Sequence, residues 1–137
     1  MNQHRTFIDT VYEHFNTGDF DAVEPYFAPD VETRAPGVTL KTRDEWRAMG
    51  EAFRTAVPDM HHEIISYYED GDTVLVEGVY SGTQTGPLVT DSGTLPASGN
   101  AFAFPYVDIF ELRDGICVNH RIYWDNLGFL TQLGAAG

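Results

Sequence analysis

The hydrophobic positions repeat with two different periods, and the change of period divides the chain. Over residues 3–16 the apolar residues Phe7, Val11 and Phe15 recur every four positions, with Ile8 and Tyr12 widening the stripe, which predicts an amphipathic helix. Gly18 stands where that helix stops. Asp19 caps a second, shorter helix through Val23 and the pair Tyr26 and Phe27, which Pro25 shortens or kinks. VETRA, residues 31–35, predicts a short strand before a turn at Pro36 and Gly37. Thr42 and Glu45 form a capping box for a third helix, which carries Trp46, Met49 and Phe53 on one side and ends before Pro58.

Beyond Pro58 the pattern is that of strands. Residues 60–68 predict a strand, EDGD at 69–72 a hairpin turn, and residues 73–84 the returning strand. A loop rich in Gly, Pro and Ser runs to Asn100, and residues 101–112 and 116–124 form another hairpin around Arg113, Asp114 and Gly115. A short apolar helix with Leu127, Phe129 and Leu130 follows. Helices first and antiparallel strands afterwards indicate an α+β fold, with N-terminal helices packed on one face of a strongly curved, mostly antiparallel sheet. Such a cone-shaped α+β barrel leaves a mouth that can hold a ligand. At 137 residues, with no repeat or low-complexity linker, residues 1–137 are expected to form a single domain.

Composition sharpens this picture in three ways. Nine Phe, seven Tyr and two Trp are enough to line a cavity as well as fill a core. Eight basic residues against 21 acidic ones leave a formal charge of −13, which argues against nucleic acid or an anionic membrane as partner and is accounted for by solubility. The single cysteine, Cys117, rules out an intramolecular disulfide and thiolate-rich metal sites, and reads as a small buried hydrophobe. The opening MNQHRTFIDT has no apolar signal region and no stretch approaches membrane-spanning length, so a soluble cytoplasmic protein is expected.

Candidate chemistry concentrates near residue 125. The run Ile122, Tyr123, Trp124 delivers Asp125 where a strand gives way to a helix. An acid among aromatics loses hydration, its pKa rises, and it becomes useful for proton transfer near neutral pH. Asp is equally a favoured helix cap, so two readings of Asp125 stay open. Strict alternation puts Arg121, Tyr123 and Asp125 on one face and His120, Ile122 and Trp124 on the other; an Asp125 that shares its face with Arg121 and pairs with it is a weaker base. His120 is placed to tune Asp125 or to donate to a ligand carbonyl, or is simply a satisfied strand histidine. His61 and His62, adjacent in a strand, point to opposite faces and cannot jointly hold one metal; no metal site is expected. Tyr12, Trp46 and Phe53 lie on apolar helix faces that in a cone become the pocket wall, and Gln84 is a candidate polar contact at the mouth. No phosphate loop or nucleophile elbow is present.

The segments FNTGDFDAVEPYFAPDV (15–31), VPDMHHEI (57–64), EDGDTVLVEGVYSGTQTG (69–86), LPASGNAF (95–102), VDIFELRDG (107–115) and HRIYWDNLGFLTQLG (120–134) together resemble the SnoaL-like polyketide cyclases. These belong to the nuclear-transport-factor-2-like superfamily, with ketosteroid isomerases, limonene epoxide hydrolases and scytalone dehydratases as relatives. The resemblance implies that Asp125 stands where the cyclases place their acid/base aspartate. It also implies that Asp108 stands where ketosteroid isomerases keep the aspartic acid of their oxyanion hole, a carboxylic acid held neutral by an apolar site. In a regular strand Phe104, Tyr106 and Phe110 share a face with Asp108. Thr33, Arg34 and Ala35 stand where steroid isomerases carry their base, and Tyr106 where the epoxide hydrolases place an arginine, so both of those chemistries recede.

The expectation is thus an acid/base isomerase- or lyase-type enzyme without a cofactor, closing a ring by intramolecular aldol chemistry in a small hydrophobic, carbonyl-containing, polyketide-like ligand. Asp125 and Asp108 are the candidate catalytic pair, and Tyr12, Trp46, Phe53, Gln84, Phe104, Tyr106, His120, Tyr123 and Trp124 the candidate binding residues. Epoxide hydrolysis or dehydration on the same fold is the alternative chemistry, and a non-catalytic hydrophobic-ligand binder the alternative class. The resemblance also implies a homodimer through the outer face of the sheet.

Overall fold

Gly18 ends the first helix in the left-handed conformation, with φ of 77°, so that the backbone turns toward the second. The computed structural model describes residues 4–90 and 93–135; the expected helix start at residue 3 and part of the loop before Asn100 lie outside them. Helix α1 spans Arg5–Thr17 and buries Phe7, Ile8, Val11, Tyr12 and Phe15, the stripe that its period requires. Asp19 caps α2, Phe20–Val23, by accepting from the Ala22 N–H at 3.1 Å. Pro25 does not end the helical course; it tightens it into a 3-10 turn over Glu24–Tyr26. Helix α3, Arg43–Ala56, starts at Thr42, whose hydroxyl accepts from the Glu45 N–H at 3.1 Å. The return bond of the capping box is displaced by one residue, since Glu45 accepts from the Lys41 N–H at 2.9 Å.

Strand β1, Phe27–Ala35, begins before the expected residue 31 because Phe27 and Val31 both bury their side chains in the core. It pairs antiparallel with the short β2, Val38–Leu40, across the Gly37 turn. Strands β3, His61–Asp70, and β4, Thr73–Thr83, form the expected hairpin. The loop that follows contains an unexpected small hairpin, β5 Leu88–Thr90 with β6 Gly93–Leu95, which lies against α3 and buries Leu88. Strand β7 runs Ala101–Arg113 and β8 runs Ile116–Trp124, before a last helix α4, Asn126–Gln132.

The six-stranded sheet has the order β2-β1-β8-β7-β4-β3, antiparallel except for the parallel pair β1–β8. Register shifts between Ile64 and Ser66 and between Glu111 and Leu112 add local bend and twist. Along β7 every second residue from Phe102 to Leu112 is buried, so Phe102, Phe104, Tyr106, Asp108, Phe110 and Leu112 face the helices. Helix α1 packs on β3 and α3 on β1, leaving an aromatic interior between helices and sheet. Cys117 is fully buried, as expected. Among the described residues, no helix is long and apolar enough to cross a membrane.

Candidate active site

An open cavity of about 110 Å³ lies between α1, α3 and the inner face of the sheet. Its walls are almost wholly apolar: Phe15, Phe20, Trp46, Met49, Phe53, Met60, Tyr80, Phe104, Tyr106, Ile122 and Trp124. One carboxyl group and two imidazoles line it, Asp108, His120 and His62. This is the distribution expected of a ligand site, a large apolar surface with a few placed polar groups.

Asp108 sits in the middle of β7, only 4 % exposed, and each of its carboxylate oxygens has a partner. Oδ2 accepts from the Tyr12 hydroxyl, delivered by the buried face of α1. Oδ1 lies 3.0 Å from Nε2 of His120 on the neighbouring strand. Register puts His120 directly opposite Phe110, and the two rings stack at 4.4 Å, which fixes the imidazole beside Asp108 two residues away.

The state of His120 follows from its other nitrogen. Nδ1 lies 3.2 Å from the indole N–H of Trp46, which can only donate. Nδ1 is therefore the acceptor, the proton sits on Nε2, and the ring is neutral while it donates to Asp108. Trp46 is itself held flat on Phe27, with ring centroids 4.0 Å apart. Burial and, after it, the charge of Asp108 hold the Tyr12 phenol well above its usual range, so Tyr12 keeps its proton and remains a donor.

Tyr106 lies one inward position from Asp108, its ring stacked near that of Tyr12 at 6.3 Å. Burial also raises its phenol. Its hydroxyl lies near enough to Tyr12 for the two to perturb each other, yet has no partner at hydrogen-bonding distance and angle, although it is buried. Gly78, opposite Tyr106 on β4, makes room for it: a Cβ there would lie 2.6 Å from the Tyr106 Oη and 2.2 Å from the Glu63 carbonyl oxygen.

His62 belongs to the same enclosure, surrounded by the rings of Tyr12, Phe15, Tyr80 and Tyr106, the nearest being Tyr80 at 4.7 Å. Burial lowers its pKa to about 4, so it is neutral at physiological pH. His61 is exposed, on the opposite face, as strand alternation requires.

The structure thus brings Tyr12, Trp46, Phe53, Phe104, Tyr106, Asp108, His120 and Trp124 to the cavity or into direct contact with its polar groups. Three of the candidate catalytic and binding residues lie elsewhere. Asp125 is exposed and caps α4, its Oδ1 accepting from the Gly128 N–H at 2.9 Å; alternation along β8 holds, so His120, Ile122 and Trp124 face inward and Asp125 does not line the cavity. Tyr123 is 54 % exposed for the same reason. Arg121, also turned away, pairs with Glu111 across the outer face and not with Asp125. Gln84 is buried rather than at the mouth, donating to the Gly86, Leu95 and Pro96 carbonyls and accepting from the Ser98 N–H, which ties down the loop after β4.

Sequence reasoning did not single out Phe15, Phe20, Met60, His62 or Tyr80 as cavity residues. The period of each element carried the signal: Phe15 lies on the stripe of Tyr12, Met60 and His62 share a parity, and Tyr80 shares that of Val74 and Val76.

The family model of the SnoaL-like polyketide cyclases matches residues 3–133. The chain is 32% identical over 130 residues to the aklanonic acid methyl ester cyclase DnrD of Streptomyces peucetius, covering 89% of this chain and 84% of that protein. It is likewise 32% identical over 130 residues to the aklanonic acid methyl ester cyclase DauD of Streptomyces sp. strain C5, covering 89% of this chain and 76% of that one. Among solved structures, TsrD from Streptomyces laurentii superposes with a TM-score of 0.82 at 27% identity, covering 96% of this chain and 94% of the other.

Proposed function

The chain belongs to the SnoaL-like polyketide cyclase family, and from that premise we propose that it closes a ring in a hydrophobic, polyketide-like carbonyl compound by acid/base catalysis, with Asp108 as the proton carrier. The observation that carries this reading is the buried Asp108 carboxylate in an aromatic cavity, bonded by Tyr12 on one oxygen and by neutral His120 on the other. Each oxygen accepts one bond and retains a lone pair, so the carboxylate is oriented but not saturated.

In the proposed reaction the substrate folds against the aromatic walls with an acidic C–H at Asp108. Asp108 takes the proton α to a carbonyl, and the negative charge moves to the enolate oxygen. The donor assigned to that oxygen is the Tyr106 hydroxyl, which is buried and unpartnered in the free protein and turns into the cavity to reach it; in a dry cavity such a bond is worth more than in water. The enolate carbon attacks a second carbonyl of the same molecule, a C–C bond forms, and the new alkoxide recovers the proton from Asp108. Substrate and product are isomers, and Asp108 ends as it began. The two neutral donors on Asp108 matter here, because a cationic partner would weaken the base. General acid–base transfer contributes about 10²–10⁴-fold, and holding a flexible chain in the closing geometry supplies much of the rest.

The test is Asp108→Asn, an isosteric change. Loss of turnover by about 10²-fold or more with ligand affinity kept supports the reading. Full turnover in that variant overturns Asp108 as the carrier, and tight ligand binding by the unaltered chain with no product from any carbonyl substrate favours a binding protein.

A further inference from the structure

The mechanism above leaves one imidazole of the cavity unused. His62 lines the cavity from β3, and the Asn16 side chain grips it from the end of α1. The Asn16 Oδ1 accepts from the His62 backbone N–H at 2.7 Å, and the Asn16 Nδ2 donates to the His62 carbonyl at 3.2 Å. Those two bonds leave no ambiguity about which amide atom is oxygen. The same Oδ1 lies 3.2 Å from the imidazole Nδ1, and since an amide oxygen can only accept, Nδ1 carries the proton. The ring being neutral, Nε2 is then a bare lone pair. Among the described residues Nε2 makes no hydrogen bond, in a setting where the neighbouring groups are rings.

We propose that His62 Nε2, held in the Nδ1–H tautomer by Asn16, is a specificity-determining acceptor that reads a phenolic or enolic hydroxyl on the substrate. A bare imidazole nitrogen in an aromatic enclosure loses its hydration when a ligand enters, so a ligand offering O–H replaces that bond and one offering O–CH₃ or C–H leaves it unmade. The imidazole's low basicity, caused by burial, keeps it an acceptor across the physiological range. This rests on the reading of the cavity as a site for a flat apolar ligand, and it adds a second polar reader on the β3 side, separate from the Asp108 and His120 pair.

The test uses 2-naphthol and 2-methoxynaphthalene, which share a ring system and differ in the hydroxyl hydrogen, titrated calorimetrically into the full chain and into His62→Phe. The expected result is that the affinity ratio of naphthol to its methyl ether falls by about three- to tenfold in the variant, the range of one net hydrogen bond. Comparing ratios cancels the different hydrophobicity of the probes. An unchanged ratio overturns the proposal. Imidazole ¹⁵N spectra of the unaltered chain give a readout that needs no variant to fold: the Nδ1–H tautomer is expected, with the Nε2 resonance moving on addition of naphthol and not of the ether. Protonation on Nε2 overturns the assignment. Binding of both probes with no discrimination overturns this inference alone, whereas binding of neither overturns it together with the reading of the cavity.

Discussion

His120 presents its Nε2–H to Asp108 at 3.0 Å with the ring neutral, because its Nδ1 is occupied by the Trp46 indole N–H at 3.2 Å. A donor-only group on one nitrogen dictates the tautomer at the other, and the result is a carboxylate bonded by two neutral donors inside an apolar cavity. Both carboxylate oxygens are thereby held in place by neutral donors, each with a lone pair left over. Four measurements follow from this arrangement and its surroundings.

Asp125 and Asp108 should separate cleanly. Asp125→Ala removes the cap of α4 and is expected to cost about 1 kcal/mol of stability, within the usual 0.5–2 kcal/mol range for such caps, while kcat stays within about twofold of the unaltered protein. Denaturant titration reads the first effect and steady-state kinetics the second. A loss of turnover in Asp125→Ala comparable to that of Asp108→Asn would show that the exposed carboxylate takes part in the chemistry.

Tyr106→Phe removes a buried hydroxyl that has no hydrogen-bond partner. Deleting an unsatisfied polar atom is expected to leave stability unchanged or raise it by about 1 kcal/mol, because the desolvation cost disappears with the group. Turnover is expected to fall at the same time. A stability loss with unchanged kcat would mark the hydroxyl as structural.

Trp46→Phe keeps an aromatic ring over Phe27 and deletes only the donor to His120. The expected outcome is a fall in kcat on the order of tenfold with KM little changed, accompanied by a changed His120 tautomer in ¹⁵N spectra. A rise in KM at constant kcat would make Trp46 a wall and nothing more.

His62 makes stability depend on pH. Its pKa is about 4 in the folded protein and near the ordinary 6.5 when unfolded, so between these values the unfolded state binds more protons. The contribution of this group is then full above about pH 6.5, falls as pH drops toward 4 and is gone below it, up to about 3.5 kcal/mol in total at roughly 1.4 kcal/mol per pH unit. The difference in unfolding free energy between the unaltered chain and His62→Phe, measured from pH 7 to 4, should therefore narrow or change sign in the direction that favours the variant in acid. A pH-independent difference would contradict a buried neutral imidazole.

Much of the framework was legible from residues 5 to 56 and 101 to 124 because period and capping are local. The α1 stripe, the Gly18 stop, the Asp19 and Thr42 caps and the alternation of β7 each depend on a few neighbours in sequence. The small hairpin β5–β6 was not legible, because Leu88 earns its burial only against α3, a segment far away in the chain. The early start of β1 has the same origin, since Phe27 belongs to the core only once Trp46 is stacked on it.

The candidate site shows the same division. Asp125 attracted attention through its aromatic neighbours, but those neighbours in sequence lie on alternating faces of β8, and the end of that strand sets Asp125 outside as a cap. By itself the sequence determined the helix–sheet order, the inward face of β7 with Asp108 on it, and membership of the SnoaL-like family. Only the tertiary structure decided what Asp108 meets: Tyr12, 96 residues away, and Trp46, acting through His120 from 74 residues away. Proton chemistry depends on contacts of a few ångströms across elements, and no local pattern encodes which groups α1 and α3 carry to the middle of the sheet.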